Sequence, residues 1–280
     1  MASDGTFIVG GNRNGGPRAL PPARLNRRYR ALRTIAALIL REVSTRFGRT
    51  PGGFAWAVLQ PLATIIVLGL AFSLIARTPA LGTSFLLFKA TGLLAYQTFQ
   101  SNSMMVGKSL AFSAPLLTYP GVTWADAILA RVILNTLVSV VVAVLILTGI
   151  IMALDLSLIL NWGDIVLAMA LAALLGLGIG TLNCYLFERI AIWANLWGIL
   201  NAPLMIMSGV IILYDDLPRQ AQEWLWYNPA LHVTGLMRAG FYSTYQPTYV
   251  SVAYVLAWAL IPLVLGLLLL RRYHRDVLTR

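Results

Sequence analysis

Charge is what this sequence has least of. Only 11% of its 280 residues are Asp, Glu, Lys or Arg, less than half of the roughly 25% that soluble domains carry. Beside 59% hydrophobic residues, that scarcity excludes a water-soluble fold. Cysteine is nearly absent as well. The single Cys184, set in an apolar run, excludes an intrachain disulfide and a cysteine-cluster metal site. Two histidines, His232 and His274, stand far apart with no evident second ligand, so no metal site is expected. No Gly-x-x-x-x-Gly-Lys-Ser/Thr segment is present, which excludes a P-loop of the chain's own. The nearest glycine cluster, Gly176, Gly178 and Gly180, lacks a lysine and reads as close packing against another helix. Ionisable groups are missing from the centres of the long apolar runs, where an ion-coupled carrier keeps its machinery. Nor is there an evident acid–base pair of the kind that a membrane-embedded transferase needs.

What is there is a series of charge-free runs. An apolar crossing takes about 20 residues, and runs at 51–76, 90–107, 132–154, 165–187, 190–214 and 239–270 are read as six spans. The second is extended back to Phe85, with Lys89 reaching out toward headgroups. The expected fold class is an all-α integral membrane protein. Residues 1–31 form a leader, rich in Gly and Pro, and residues 32–280 form the transmembrane domain. From Leu32 to Arg49 the apolar residues Leu32, Ile35, Ala36, Ile39, Val43 and Phe47 recur at helical spacing. They predict an amphipathic helix lying in the membrane surface, or else a basic helix packed on a partner protein.

The net charge of +11 is a topology signal rather than a nucleic-acid footprint, because ten of the 21 basic residues precede Pro51 and four follow Leu270. Placing the N-terminus inside sets 17 basic residues on that side against Arg77, Lys89, Arg219 and Arg238 outside. Both termini are therefore expected in the cytoplasm. Between the fifth and sixth spans, 214–246 is too apolar for a plain loop. Asn228-Pro229 is a helix start, Gly240 a helix end, and Trp224, Trp226 and Tyr227 stand before it. Short re-entrant helices in the outer leaflet are expected there.

Residues 109–125 are uncharged, broken by Pro115, Pro120 and Gly121, and too short to cross, so a loop is expected. On the cytoplasmic side its apolar Leu110, Phe112, Leu116, Leu117 and Tyr119 mark a partner site, or a segment touching only lipid. Neutral polar residues inside the runs, among them Gln97, Gln100, Asn102, Asn135, Asn183 and Asn201, bond between helices or line a polar path. Trp56, Tyr96, Phe99, Trp193 and Trp197 offer flat rings for sugar faces, or serve as interfacial anchors.

One set of motifs runs from Leu32 to the C-terminus: Leu40-Arg41-Glu42, Thr45-Arg46-Phe47-Gly48-Arg49, Trp56, Gln60-Pro61, Pro120-Gly121-Val122, Asp126, Ala130-Arg131, Ser208-Gly209-Val210, Tyr227-Asn228-Pro229, His232, Arg238-Ala239-Gly240-Phe241-Tyr242 and Leu270-Arg271-Arg272-Tyr273. In that order and spacing, the chain resembles the permease subunits of type-2 ABC exporters, and among them the capsular-polysaccharide export permeases. The resemblance implies a non-enzymatic homodimer in the bacterial inner membrane, bound to two separate ATP-binding cassette subunits that carry the ATP and Mg. The chain itself would bind no cofactor. Its cargo would be a lipid-linked polysaccharide, with O-antigen or teichoic acid as the sister-group alternative. Periplasmic and outer-membrane export proteins would be further partners, membrane lipids would surround it, and nucleic acid would not take part. By position, Ser109, Leu110, Phe112, Pro115, Leu116, Leu117, Tyr119 and Pro120 would couple to the ATPase. Arg46 and Arg49 would meet a phosphate or anionic glycan headgroup. Trp56, Tyr96, Phe99, Trp193 and Trp197 would line the route, and Trp224, Trp226, Asn228, Pro229, His232 and Arg238 would build the re-entrant helices.

Overall fold

A computed structural model describes residues 30–48, 52–75, 78–117 and 122–278. Most of the expected leader, together with Arg49, Arg77, Tyr119, Pro120 and Arg280, therefore lies outside the described residues. Within them the chain is helical, with α1 (Arg30–Phe47), α2 (Gly53–Ile75), α3 (Phe85–Gly107), α4 (Ser109–Leu117), α5 (Trp124–Ala153), α6 (Trp162–Arg189), α7 (Trp193–Met207), α8 (Arg219–Leu225), α9 (Pro229–Phe241) and α10 (Val252–Leu278). A single 3₁₀ turn, Tyr214–Asp216, precedes α8.

Local chemistry sets the starts. Ser84 Oγ accepts from the Leu87 N–H ahead of α3. Thr123 and Asp126 form a reciprocal capping box on α5. Asn161 accepts from Gly163 and Asp164 at α6. Asn228 accepts from Ala230 with Pro229 in the first turn of α9, as the sequence predicts.

Four helices, α2, α5, α6 and α10, are long and apolar enough to cross a bilayer. Helix α3 matches them in length at 23 residues, but Lys89, Gln97, Gln100, Ser101, Asn102 and Ser103 make it polar. It is affordable because α3 is the centre of the bundle, packed by α2, α5, α6 and α9, and most of its residues are buried. The core runs along it through Leu87, Phe88, Leu93, Leu94, Tyr96 and Phe99 against Ile146, Ala172, Leu175 and Val233. Glycines let the backbones close up. A Cβ on Gly176 would sit 2.7 Å from the Phe99 carbonyl of α3, one on Gly180 3.0 Å from that of Ser103, and one on Gly178 would collide with the Ala259 carbonyl of α10. Close packing is thus what this cluster does.

Several expected boundaries move. The fifth run, 190–214, is not one helix: α7 covers 15 residues and ends in a turn where Gly209 takes φ +72°. The sixth, 239–270, is two pieces, because Ala239 belongs to α9 and α10 starts only at Val252, after a turn containing Pro247. The loop expected over 109–125 contains a nine-residue helix, α4. Gly240 does not end α9 but lets it approach α6, where a Cβ would lie 2.5 Å from Ile165 Cγ1. Lys89 does not reach outward: it is 1% exposed, donates to the Ile211 carbonyl at 2.5 Å, and stands 3.7 Å over the Phe72 ring. Arg238 is equally buried, stacked 4.0 Å over Phe88 and donating to the neighbouring Val210 carbonyl. Two cations thereby pin consecutive carbonyls of the turn after α7.

Candidate functional site: a polar cleft and its helical junction

Helix α1 packs on α5 by a mixed face: of the apolar stripe, Ile35, Ile39 and Phe47 are half-buried and Leu32, Ala36 and Val43 exposed, so the stripe lies across the edge of the contact. Leu38 and Glu42 are buried and Arg46 is half-buried, whereas Leu32 and Leu40 are 62% and 70% exposed.

Two rungs join α1 to α5, each one helical turn from the other. Glu42 pairs with Arg131, with Nε 3.2 Å from Oε1, both side chains at least nine-tenths buried. Arg46 Nη1 donates to Asn135 Oδ1 at 3.1 Å. Asn135 continues into α3, its Nδ2 donating to Ser101 Oγ at 2.9 Å and Asn102 Oδ1 at 3.0 Å, and Asn102 Nδ2 returns to Thr136 Oγ1 on α5. Above this network, α1, α2, α3 and α5 enclose a cleft of about 200 Å³, lined among others by Arg46, Gln60, Gln97, Gln100, Ser101 and Asn135. It is large enough for a few waters or a small polar group. One guanidinium, several amides and no carboxylate line it, a set that donates readily to an anionic or hydroxyl-rich ligand.

Beside the cleft sits α4, which leaves α3 after one residue. Ser109, Leu110 and Ser113 face inward, with Ser109 Oγ donating to the Val106 carbonyl at 2.6 Å and lying 3.4 Å from Cys184 Sγ. Ala111, Phe112 and Pro115 face outward, and Leu116 and Leu117 are half-buried.

The sequence-selected residues fall into separate groups. Arg46 lies at the cleft. Trp56, on α2, is 60% exposed on an apolar face that it shares with Val67, Leu70 and Leu74. Tyr96 and Phe99 are buried edge to face inside the core, and Tyr96 donates to the Asn201 carbonyl of α7 at 2.8 Å. Trp193 and Trp197 donate to Asn183 and Ser103, tying α7 to α6 and α3. Trp224 is 79% exposed. Trp226 packs against His232 and Tyr254 and donates to the Tyr249 carbonyl. His232 is buried with both ring nitrogens engaged, Nε2 with the Trp226 carbonyl and Nδ1 with the Ser251 N–H. Burial pushes its pKa below the usual histidine value, against the raising effect of the Trp226 bond, so the ring stays neutral. Asn228 Nδ2 reaches Ser208 Oγ at 3.0 Å and ties α9 to the end of α7.

Sequence reasoning passed over Glu42, Ser101 and Gln60 as site members and gave Arg131 a topological role and a place among the family motifs, but none in a site. A signal existed: Glu42 and Arg46 on one helix, and Arg131 and Asn135 on another, are each four residues apart and so share a helix face.

A helical bundle with four helices apolar and long enough to cross a bilayer is the architecture of an integral membrane protein. The sequence profile of the family described as ABC-2 type transporter matches residues 33–242, and the chain belongs to that family. Its relatives include the polysialic acid transport protein KpsM of Escherichia coli, 31% identical over 246 residues that cover 88% of this chain and 95% of that one. The capsule polysaccharide export inner-membrane proteins CtrC of Neisseria meningitidis and BexB of Haemophilus influenzae are 27% and 25% identical, each covering 88% of this chain and 92% of its own.

Proposed function

We propose that this chain is the permease subunit of an ATP-driven exporter that moves a capsular or related lipid-linked polysaccharide out across the bacterial inner membrane. The observation that carries this reading is the alignment of nearly its whole length with export proteins of that membrane. Helices α2, α3, α5, α6, α7 and α10 make six crossings. The pair α8 and α9 dips into the outer leaflet and returns, and both termini lie in the cytoplasm. Two copies meet along the exposed apolar face of α2, each bound through α4 to an ATP-binding subunit that holds ATP and Mg. Arg46 at the cleft receives a phosphate or anionic headgroup through charge-assisted hydrogen bonds. The permease itself makes and breaks no bonds. It switches between arrangements as the ATPase draws the α4 helices together, each arrangement stabilised by different contacts.

The test is deletion of the gene in an encapsulated strain, with surface polysaccharide and copurified proteins as readouts. Loss of surface polysaccharide with intracellular accumulation, and copurification of an ATPase, are expected. Normal capsule and surface glycans in the deletion strain overturn the reading. The outer segment has its own check, in a Cys184→Ala background. A hydrophilic maleimide should label a cysteine at Trp224 and spare one at the buried Val233; equal labelling at both contradicts the re-entrant packing.

A further inference from the structure

Arg131 touches more of the molecule than any other polar residue near the cleft. It stands on α5. Its Nε pairs with Glu42 of α1, its Nη1 donates to the Met105 carbonyl at the end of α3 at 2.8 Å, and the face of its guanidinium lies 4.2 Å over the Phe112 ring of α4. Phe112 also receives Arg41 of α1, 5.4 Å from its centroid. Four helices thus meet at one planar cation. One turn further along α5, Asn135 holds Arg46 of α1 and the polar residues of α3.

Separating such a junction is costly in a specific way. A buried ion pair gains little over apolar packing, but removing one partner leaves a charge uncompensated in a medium of low dielectric. When α4 is displaced, Arg131 is drawn with it by the stacking on Phe112, and Glu42 must follow Arg131 or leave it unpaired. Helix α1 therefore moves, and Arg46 moves with it at the mouth of the cleft. The far side of α1, where Leu32, Leu40 and Val43 are exposed, is not packed into the bundle and does not oppose that movement.

Resting on the reading of α4 as the ATPase-docking helix, we propose that Arg131, paired with Glu42, is the positioning residue that transmits displacement of α4 to α1 and so sets Arg46 at the cleft. Neither residue touches cargo or nucleotide. Their loss should uncouple hydrolysis from export rather than abolish assembly.

The experiment uses the full permease–ATPase complex, purified into nanodiscs of Escherichia coli polar lipid for ATP hydrolysis, with surface polysaccharide of the same strains as the export readout. Arg131→Lys keeps a cation for Glu42 but loses the flat stacking surface and the second directed bond. Glu42→Gln keeps the shape and loses the charge. Each should copurify the ATPase in wild-type amount, hydrolyse ATP within twofold of wild type, and export at least tenfold less. Leu40→Ala, on the exposed face of α1, should leave all three unchanged. Unchanged export in both variants overturns the proposal. So does a parallel fall of yield, hydrolysis and export in both, which marks Arg131 as a fold-holding residue only. If the wild-type chain copurifies no ATPase, the function reading itself fails, a result distinct from either variant outcome.

Discussion

At the scale of single residues, this molecule is governed by how near backbones can come. Gly178 faces the Ala259 carbonyl so closely that even a methyl group has no room, whereas a Cβ at Gly149 of α5 meets nothing within 4 Å. Gly178→Ala should therefore destabilise by about 1–3 kcal/mol through overpacking. Gly149→Ala should be neutral or stabilise by roughly 0.5–1 kcal/mol through helix propensity. Thermal unfolding in detergent separates the two; equal melting temperatures would mean that α6 and α10 are not in contact at Gly178. This close packing was legible in the sequence, since a run of alternating small residues in an apolar helix has few other uses. Lys89 was not legible. Its place near the start of the span suggested an outward side chain, yet its partner is a carbonyl 122 residues away in a turn that periodicity does not see.

At the scale of elements, α4 shows where a sequence signal misleads. Pro115 reads as a break, but in a nine-residue helix it removes one donor, and the carbonyl that loses it belongs to the exposed Ala111. The helix presents Ala111, Phe112 and Pro115 outward. Ala111→Trp should leave α4 folded, since the position is solvent-facing, while blocking a docked subunit; a fall of at least tenfold in copurified ATPase is the expected outcome of pull-down from cells. Undiminished capture would place the docking surface elsewhere. Helix α1 carries the complementary lesson. Its period was legible from Leu32, Ile35, Ile39 and Val43, but the face that meets α5 was not, because Leu38 and Glu42 are buried there while Ile35 and Ile39 are only half-buried and Leu32 and Val43 exposed. The sixth run was misjudged for a related reason: absence of charge does not reveal the turn at Pro247 that divides α9 from α10.

At the scale of the whole molecule, the apolar face of α2 is left uncovered. Leu70 is 60% exposed and Leu74 88%, beside Trp56 and Val67. Lipid can cover such a face, and so can a second copy. With Cys184→Ala as background, Leu70→Cys should form an oxidised dimer in native membranes, whereas Ile133→Cys, 47% exposed on α5, should not. Crosslinking at both positions, or at neither, would argue against α2 as the meeting line. Whole-molecule organisation was the most legible level: the all-helical class follows from composition and from the long apolar runs, and the motif set already resembled the family that the chain belongs to. The cleft was the least legible, because Arg46, Gln60, Gln97 and Asn135 come from four helices and acquire meaning only through their packing.

The central position of α3 has a consequence for how the chain is built. A helix with a lysine near its start and a polar belt of amides and hydroxyls partitions poorly into hydrocarbon on its own. Its satisfaction comes from segments translated afterwards, since the amide partner of Asn102 is Asn135, 33 residues downstream. During synthesis, then, α3 is an unfinished sentence: its Asn102 gains its amide partner only once the first turns of α5 have been made.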